Sequence, residues 1–353
     1  MFEFLRQSRN KPKQVSTEPE LNTGLPAKDE KRCPKCSTNF PARCVICAYC
    51  KTLLMVIDRK DPTRIESVVA SRPDGSKWEL SCQRFLGSGT ICDVYDVLDA
   101  ESGEQFAVKA LMLRLMVDNK SARKFLEGAR KGLSLEHENI VRTHAVGSTK
   151  PERKDLNRPF IVCEYLEGKP LSQLIDKDNL PSASETLLMA NHVCAALQHA
   201  HEQGIIHGDL KPSNIYLEST GEKDVVKVSD FAIAERLFQG LEWNQVTTMT
   251  SSLYGSAVYL APDYAHERTP AAVADIYSLG CIMYECMTGH PPFLGNNDFV
   301  TIMKHMAEPI KPFSVEYIPK GFEAVIKRAL EKDPRKRWQS AAEMREGIVK
   351  LQG

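Results

Sequence analysis

The sequence predicts an α+β protein of two lobes, a β-rich one followed by an α-rich one, preceded by a small metal-binding module. A change of pattern carries the first part. From Trp78 to about Gly168 short apolar strands alternate with turns, broken by one helical stretch, SARKFLEGARKGLSL. After Gly168 long helical segments take over, notably SASETLLMANHVCAALQHAHEQG and VADIYSLGCIMYECMTG. Such an order puts a cleft between the lobes, where ligands tend to bind. The second part rests on cysteine: five of the eleven crowd between Cys33 and Cys50.

Residues 1–32 are rich in Lys, Glu, Asn and Pro with little periodicity and read as a disordered basic tail. Residues 33–52 hold the cysteine module. Residues 53–77 read as a polar linker that opens on the strand-like KTLLMVI. Residues 78–351 form the two-lobed domain, divided into 78–166 and 167–351. Hydrophobic residues make up 42% and charged residues 26% of the 353, enough to bury a core. The formal net charge is zero, yet roughly six positive charges are in surplus before Trp78 and about six negative after it. The basic charges are dispersed, which fits a solubilising tail better than a nucleic-acid or membrane contact. The longest early apolar run, Leu53 to Ile57, is far too short to span a membrane. The N-terminal MFEFLRQSRNKPKQ lacks a signal peptide's apolar core, so a cytoplasmic location is expected.

Cys33-Pro-Lys-Cys36 and Cys47-Ala-Tyr-Cys50 are two Cys-x-x-Cys knuckles ten residues apart. Each can offer two thiolates to one tetrahedral Zn²⁺. Cys44 makes an overlapping Cys-x-x-Cys with Cys47; the reading adopted takes Cys33, Cys36, Cys47 and Cys50 as ligands. So short a segment buries no core of its own, so zinc would also fold it. CPKCSTNFPARCVICAYC resembles the zinc ribbons at the ends of bacterial multidomain proteins. One aromatic, Tyr49, and a few lysines are too little for a base-stacking surface, which favours a protein partner over nucleic acid.

Chemistry in the larger domain starts at RFLGSGTICDVYDVLD, where a strand runs into Gly87-Ser88-Gly89 and returns through Val94. Glycines let a backbone approach phosphates closely. Next, Phe106-Ala107-Val108-Lys109 carries one lysine in an apolar strand, which calls for an anionic partner. GIIHGDLKPSNIYL then places Asp209, Lys211 and Asn214 in one short loop. A carboxylate, a cation and an amide oxygen this close suit a nucleophile, a phosphate and a divalent ion. About twenty residues on, KVSDFAIAE ends a strand in Asp230, a second carboxylate suited to Mg²⁺.

Together these motifs resemble the bacterial Hanks-type (eukaryotic-like) serine/threonine protein kinases over about three quarters of the chain. The resemblance implies a bilobal kinase fold, ATP and Mg²⁺ as cofactors, and proteins as substrates. It implies that Gly87 and Gly89 cover the phosphates, Lys109 holds them, Asp209 orients the substrate hydroxyl, and Lys211 neutralises the γ-phosphate. Asn214 and Asp230 would bind the metal. In VCEYLEG, Cys163 takes the gatekeeper position and Glu164 to Leu166 the adenine hinge, with Val94, Ala107 and Leu217 around the ring. Ser256 in YGSAVYLAPD would touch the catalytic aspartate, Asp275 would anchor the catalytic loop, and Arg337 would pair with Asp263. His207 reads as core; His192, His199 and His201 read as packing or surface residues.

Five positions depart from that pattern. Cys92 replaces the third glycine, Gly208 the arginine before the catalytic aspartate, Ala232 the glycine after Asp230-Phe231, and Asp263 a glutamate. Gly128 stands where the helix glutamate that partners Lys109 belongs; Glu127 is adjacent but about 100° away around the helix. The expectation is that Glu127 substitutes in a closed state. Without an arginine at 208, a phosphorylated activation loop (Thr247, Thr248, Thr250, Ser251 and Ser252 are its hydroxyls) lacks its usual cation. These departures keep a second reading, a nucleotide-binding pseudokinase scaffold. A third makes the ribbon the centre of a nucleic-acid-associated regulator.

Overall fold

The computed structural model describes residues 65–72, 75–116, 119–149, 157–175, 180–219, 224–238, 257–263, 271–311, 313 and 319–351, plus the backbone of two short N-terminal strands. Those strands, β1 (Glu30–Arg32) and β2 (Asn39–Pro41), pair antiparallel with Lys31 opposite Phe40. Glu30–Arg32 thus departs from the disordered tail expected up to residue 32. Cys33, Cys36, Cys47 and Cys50 lie outside the described residues, as does KTLLMVI.

Six strands make one antiparallel sheet: β3 (Ser67–Ser71), β4 (Lys77–Ser88), β5 (Cys92–Asp99), β6 (Gln105–Leu111), β7 (Thr143–Ser148) and β8 (Pro159–Glu164), in the order β3-β4-β5-β6-β8-β7. β3 lies inside the stretch expected to be linker. Its Val68 and Ala70 are buried between exposed Ser67 and Ser71, a period-two pattern hidden by the charged sequence on either side. Register then fixes the functional face. Val94 lies opposite Lys109, Ala107 opposite Cys163, and Lys109 opposite Ile161. Directly opposed residues share a face, so Val94, Ala107, Lys109 and Cys163 look the same way.

Helix α1 (Asn119–Gly132) packs on β7 and β8, and its Phe125 and Ala129 join Leu111, Ile161 and Cys163 in one apolar cluster. The helical lobe opens at α2 (Ala183–Glu202) with a capping box: the Ser182 hydroxyl accepts from the Glu185 N–H while the Glu185 carboxylate accepts from the Ser182 N–H. The short strands β9 (Lys169–Pro170), β10 (Ile215–Ser219) and β11 (Asp224–Val228) form a sheet in the order β11-β10-β9. Then come α3 (Ile233–Phe238), α4 (Ala272–Thr288), α5 (Asp298–Ala307), α6 (Phe322–Ala329) and α7 (Ala341–Val349). α4 is buried nearly all round, from Ala274 to Met287, which is why its sequence is apolar without a stripe. No helix among the described residues is long and apolar enough to cross a membrane.

His305 on α5 is buried against Tyr277 and Phe293, with the Lys332 ammonium donating to its carbonyl at 2.6 Å. Burial, then the nearby Lys332 charge, pulls its pKa down to about 3. A histidine whose folded pKa is depressed adds stability above its unfolded value, about 6.5, and loses it as pH falls below that. The melting temperature of the wild type should therefore fall more steeply between pH 6.5 and about 4.5 than that of His305→Gln. Equal slopes by calorimetry would remove His305 from the acid response.

Candidate active site

The catalytic loop is held by one buried carboxylate. Asp275 on α4 accepts from the N–H groups of His207 and Gly208 at 2.9 Å each and meets the His201 ring nitrogen at 2.8 Å. Burial raises its pKa, but the His201 hydrogen bond and the surrounding histidines outweigh it and hold the carboxyl below the usual range. The loop anchor expected at Asp275 is thus in place. His201 is more than a packing residue: it bonds this anchor. Gly208 adopts φ +74°, a left-handed conformation natural to glycine. His207 is fully buried, packs its ring at a tilt 4.7 Å from that of Phe231 and bonds the Ser229 carbonyl, as a core residue should.

Beyond that anchor the loop bonds to itself. Lys211 Nζ donates to Asp209 Oδ2 at 2.6 Å, and Asn214 Nδ2 donates to the Asp209 carbonyl at 2.9 Å. The Ser229 N–H donates to the Asn214 carbonyl at 2.9 Å, tying the strand end that carries Asp230 to the same loop. Asp230 in turn meets Lys109 across the cleft: Nζ donates to Oδ1 at 2.6 Å. Burial lowers the Lys109 pKa, but the Asp230 charge and hydrogen bond outweigh it and raise the ammonium above the ordinary lysine range. Burial raises that of Asp230, and Lys109 overturns this too, holding the carboxyl low. The pair is ionised from both sides.

Glu127 does not come round to Lys109. It is half exposed, with its nearest cation Arg123 one turn away at 3.9 Å. The reason lies at Gly128. A Cβ there would meet the Ala232 carbonyl oxygen at 2.6 Å and the Ile233 Cα at 3.1 Å. α3 sits in this notch and inserts Ile233 and Leu237 into the apolar cluster of Phe125, Ala129 and Leu111. The space a longer side chain would need is filled by backbone. Ala232 itself takes φ +60°, the left-handed region that glycine occupies at low cost. Alanine keeps the turn at a strain of about 1–2 kcal/mol.

Of the three residues expected around the ring, Leu217 is revised and Val94 and Ala107 keep their face. Leu217 is 2% exposed and belongs to the core of the helical lobe, so it does not reach the cleft. Its neighbour Tyr216 points the other way, and its phenol interacts electrostatically with Lys109, Asp230 and Cys163. A shift of one residue along a strand exchanges its faces. Val94 and Ala107 stay on the cleft face. The Cys163 thiol is buried and inert, its pKa pushed up to about 12 chiefly by burial. Glu164 turns its carboxylate to Lys227 at 2.7 Å and gives its N–H to the Arg142 carbonyl at 3.0 Å. Leu166 packs on the apolar cluster. Gly87 and Gly89 bracket the exposed Ser88 at the hairpin tip. Arg337 is fully buried and pairs with Asp263. Ser256 and the hydroxyls from Thr247 to Ser252 lie outside the described residues.

Substituting the notch tests this packing. Gly128→Ala gains about 1 kcal/mol of helix propensity but forces backbone apart, at about 1–3 kcal/mol. Hydrogen exchange across residues 233–238 should rise. Gly132→Ala on the same helix meets only the Thr143 side chain, at 3.1 Å, and should leave that exchange unchanged. Equal exchange in both variants would show that α3 does not depend on the notch.

Comparison with known proteins agrees with this geometry. The family model described as the protein kinase domain matches residues 80–347. The chain is 34% identical over 269 residues to the serine/threonine-protein kinase PknB of Mycobacterium leprae, covering 76% of this chain and 42% of that protein. It is 36% identical over 275 residues to a probable serine/threonine-protein kinase of Corynebacterium efficiens, covering 76% and 40%. The chain thus spans about two fifths of the length of these relatives. Among solved structures, the PknI kinase domain of Mycobacterium tuberculosis superposes with a TM-score of 0.58 at 21% identity, over 77% of this chain and 96% of that one. That likeness speaks for the fold.

Proposed function

This chain belongs to the protein kinase domain family, with bacterial serine/threonine-protein kinases among its relatives, and we propose that it transfers the γ-phosphate of ATP to serine and threonine hydroxyls of proteins. One observation carries the proposal: Asp209, Lys211 and Asn214 share a self-bonded loop that is tied through Ser229 to the Lys109–Asp230 pair. Phosphoryl transfer asks chiefly for positioning and charge neutralisation. Asp209 orients the attacking hydroxyl and accepts its proton, and Lys211, already within 2.6 Å of that carboxylate, neutralises charge on the transferring group. Lys109 holds the α- and β-phosphates, Gly87 and Gly89 let the hairpin backbone cover them, and the Glu164–Leu166 backbone takes adenine between Val94 and Ala107.

Asn214 and Asp230 fit Mg²⁺ as a pair of hard oxygen donors. The Asn214 nitrogen is committed to the Asp209 carbonyl, which leaves its amide oxygen as the donor for a cation. Mg²⁺ commonly binds through one or two protein groups, with phosphates and water completing its shell. Mg²⁺ would supply neutralisation of the phosphate charge. Lys109 Nζ keeps two donors beyond its bond to Asp230 Oδ1, and the other Asp230 oxygen keeps acceptor capacity, so phosphates would meet the ammonium and Mg²⁺ the carboxylate.

The cysteines are read as a structural Zn²⁺ site, Cys33, Cys36, Cys47 and Cys50, serving as a docking module for a protein partner. Pairing of Glu30–Arg32 with Asn39–Pro41 supports this, because it draws together both ends of the loop that carries Cys33 and Cys36. The protein should carry about one zinc per chain by elemental analysis. Cys36→Ser should lose it while the main melting transition holds. A zinc-free wild type would sink the ribbon.

Incubation with labelled ATP, Mg²⁺ and a generic protein acceptor tests the main reading. Transfer should occur, fall at least about a thousandfold in Asp209→Asn, and stay within about twofold in Glu127→Ala, whose carboxylate lies away from the cleft. Stabilisation by Mg·ATP without transfer would make the chain a pseudokinase instead.

A further inference from the structure

We propose that Arg158 is a positioning residue for the glycine-rich hairpin, acting through Asp93 on Ser88; the inference rests on the nucleotide-binding part of the proposed function. No motif singles Arg158 out. It precedes β8 at the far end of the sheet from the hinge, yet its side chain is only 3% exposed. Burying a guanidinium is costly unless every direction it points in meets an acceptor. Here Nε donates to the Leu111 carbonyl at 2.8 Å, and Nη2 donates to the Ala110 carbonyl at 3.2 Å and to Asp93 Oδ2 at 2.6 Å. The backbone of Arg158 is pinned as well: its N–H donates to Thr149 Oγ1 at 2.7 Å, and its carbonyl accepts from the Thr149 N–H at 2.8 Å.

The chain of bonds continues into the hairpin. Asp93 Oδ1 accepts from Ser88 Oγ at 2.6 Å. Ser88 lies between Gly87 and Gly89, and the Gly89 N–H donates to the Cys92 carbonyl at 2.8 Å. Ala110 and Leu111 directly follow Lys109 on β6. One route of hydrogen bonds therefore runs from the strand of the phosphate lysine, through Arg158 and Asp93, to the tip of the loop expected over the phosphates.

Direction matters as much as connection. Asp93 lies opposite Ala110, while its neighbour Val94 lies opposite Lys109 on the cleft face. Alternation puts the Asp93 carboxylate on the other face, so the clamp holds the hairpin from behind and leaves its inner side to a ligand. A planar guanidinium suits the task, because it bonds two carbonyls and a carboxylate at fixed angles where an ammonium could not. Without the clamp, a two-glycine tip would have to be ordered by the nucleotide itself, and affinity would fall by that cost.

The test compares Asp93→Ala, Ser88→Ala, Arg158→Met and the Asp93→Ala/Arg158→Met double variant with wild type. Readouts are hydrogen exchange over residues 86–92, calorimetric affinity for a non-hydrolysable Mg·ATP analogue, and steady-state kinetics. Asp93→Ala and Arg158→Met should each speed exchange in the hairpin and weaken the analogue about five- to tenfold. KM for Mg·ATP should rise in step while kcat stays within about twofold. The double variant should be no worse than the worse single, because both break one link. Ser88→Ala should show the same pattern at about threefold. Unchanged hairpin exchange in Asp93→Ala, or single losses that multiply in the double, would overturn the proposal. If Arg158→Met does not fold, Asp93→Ala, Ser88→Ala and the Ser88→Ala/Asp93→Ala double variant decide it by the same non-additivity. A wild type that binds the analogue but transfers no phosphate would count against the catalytic reading alone, since exchange and affinity still report on the clamp.

Discussion

The contact between Lys109 and Asp230 joins the two lobes at the point where chemistry is expected. An ammonium from β6 and a carboxylate just past β11 meet at 2.6 Å, the ammonium buried and the carboxylate partly exposed. Removing one member of such a pair strands the other charge, at a cost of about 3–5 kcal/mol. Neighbouring structure has to keep both in reach. β6 does so through its register with β5 and β8, and β11 through the Ser229–Asn214 and Val228–Asn139 backbone bonds. Each member of the pair supplies the counter-charge that the other needs.

Gly128 changes meaning once α3 is in view. Read as a lost glutamate, it suggests a damaged kinase. In the fold it is a notch that lets the Ala232–Ile233 backbone approach α1 closer than any side chain would permit. Ala232, two residues after Asp230, holds a left-handed turn despite its methyl group. Ile233 and Leu237 then anchor the turn by burying apolar surface beside Phe125. The pose of Asp230 is thus set partly by packing on the sheet lobe. Lys109 finds its counter-ion there instead of on α1.

What the sequence made legible follows physical range. Asp209, Lys211 and Asn214 are close in the chain and fixed by one loop, so their spacing already implied their proximity. The helices around Ala183–Glu202 and Ala272–Thr288 were long enough to read directly. Less legible were features that depend on parity or distant partners. Tyr216 and Leu217 differ by one step along β10, and strand parity puts one towards the cleft and the other in the core. Glu127 was expected at Lys109; that Asp230 stands there instead depends on where α3 sits, which no local pattern encodes. Val68 and Ala70 were hidden because their two-residue alternation is brief and flanked by charge. Arg158 gave no signal at all, since its partners lie 65 residues back at Asp93 and 47 and 48 back at the β6 carbonyls.

Gly208 bears on how such a cleft could be controlled. An arginine there would add a cation able to receive an activation-loop phosphate. Glycine removes that cation, and its left-handed backbone gives an N–H to Asp275. The catalytic loop is therefore built around a carboxylate that is already satisfied by His201, His207 and Gly208. The position of Asp230 is set instead by the turn at Ala232 and the seat of α3 on α1. Asp230 is therefore tied by packing to the sheet lobe and its helix, while the loop of Asp209 is tied by hydrogen bonds to Asp275.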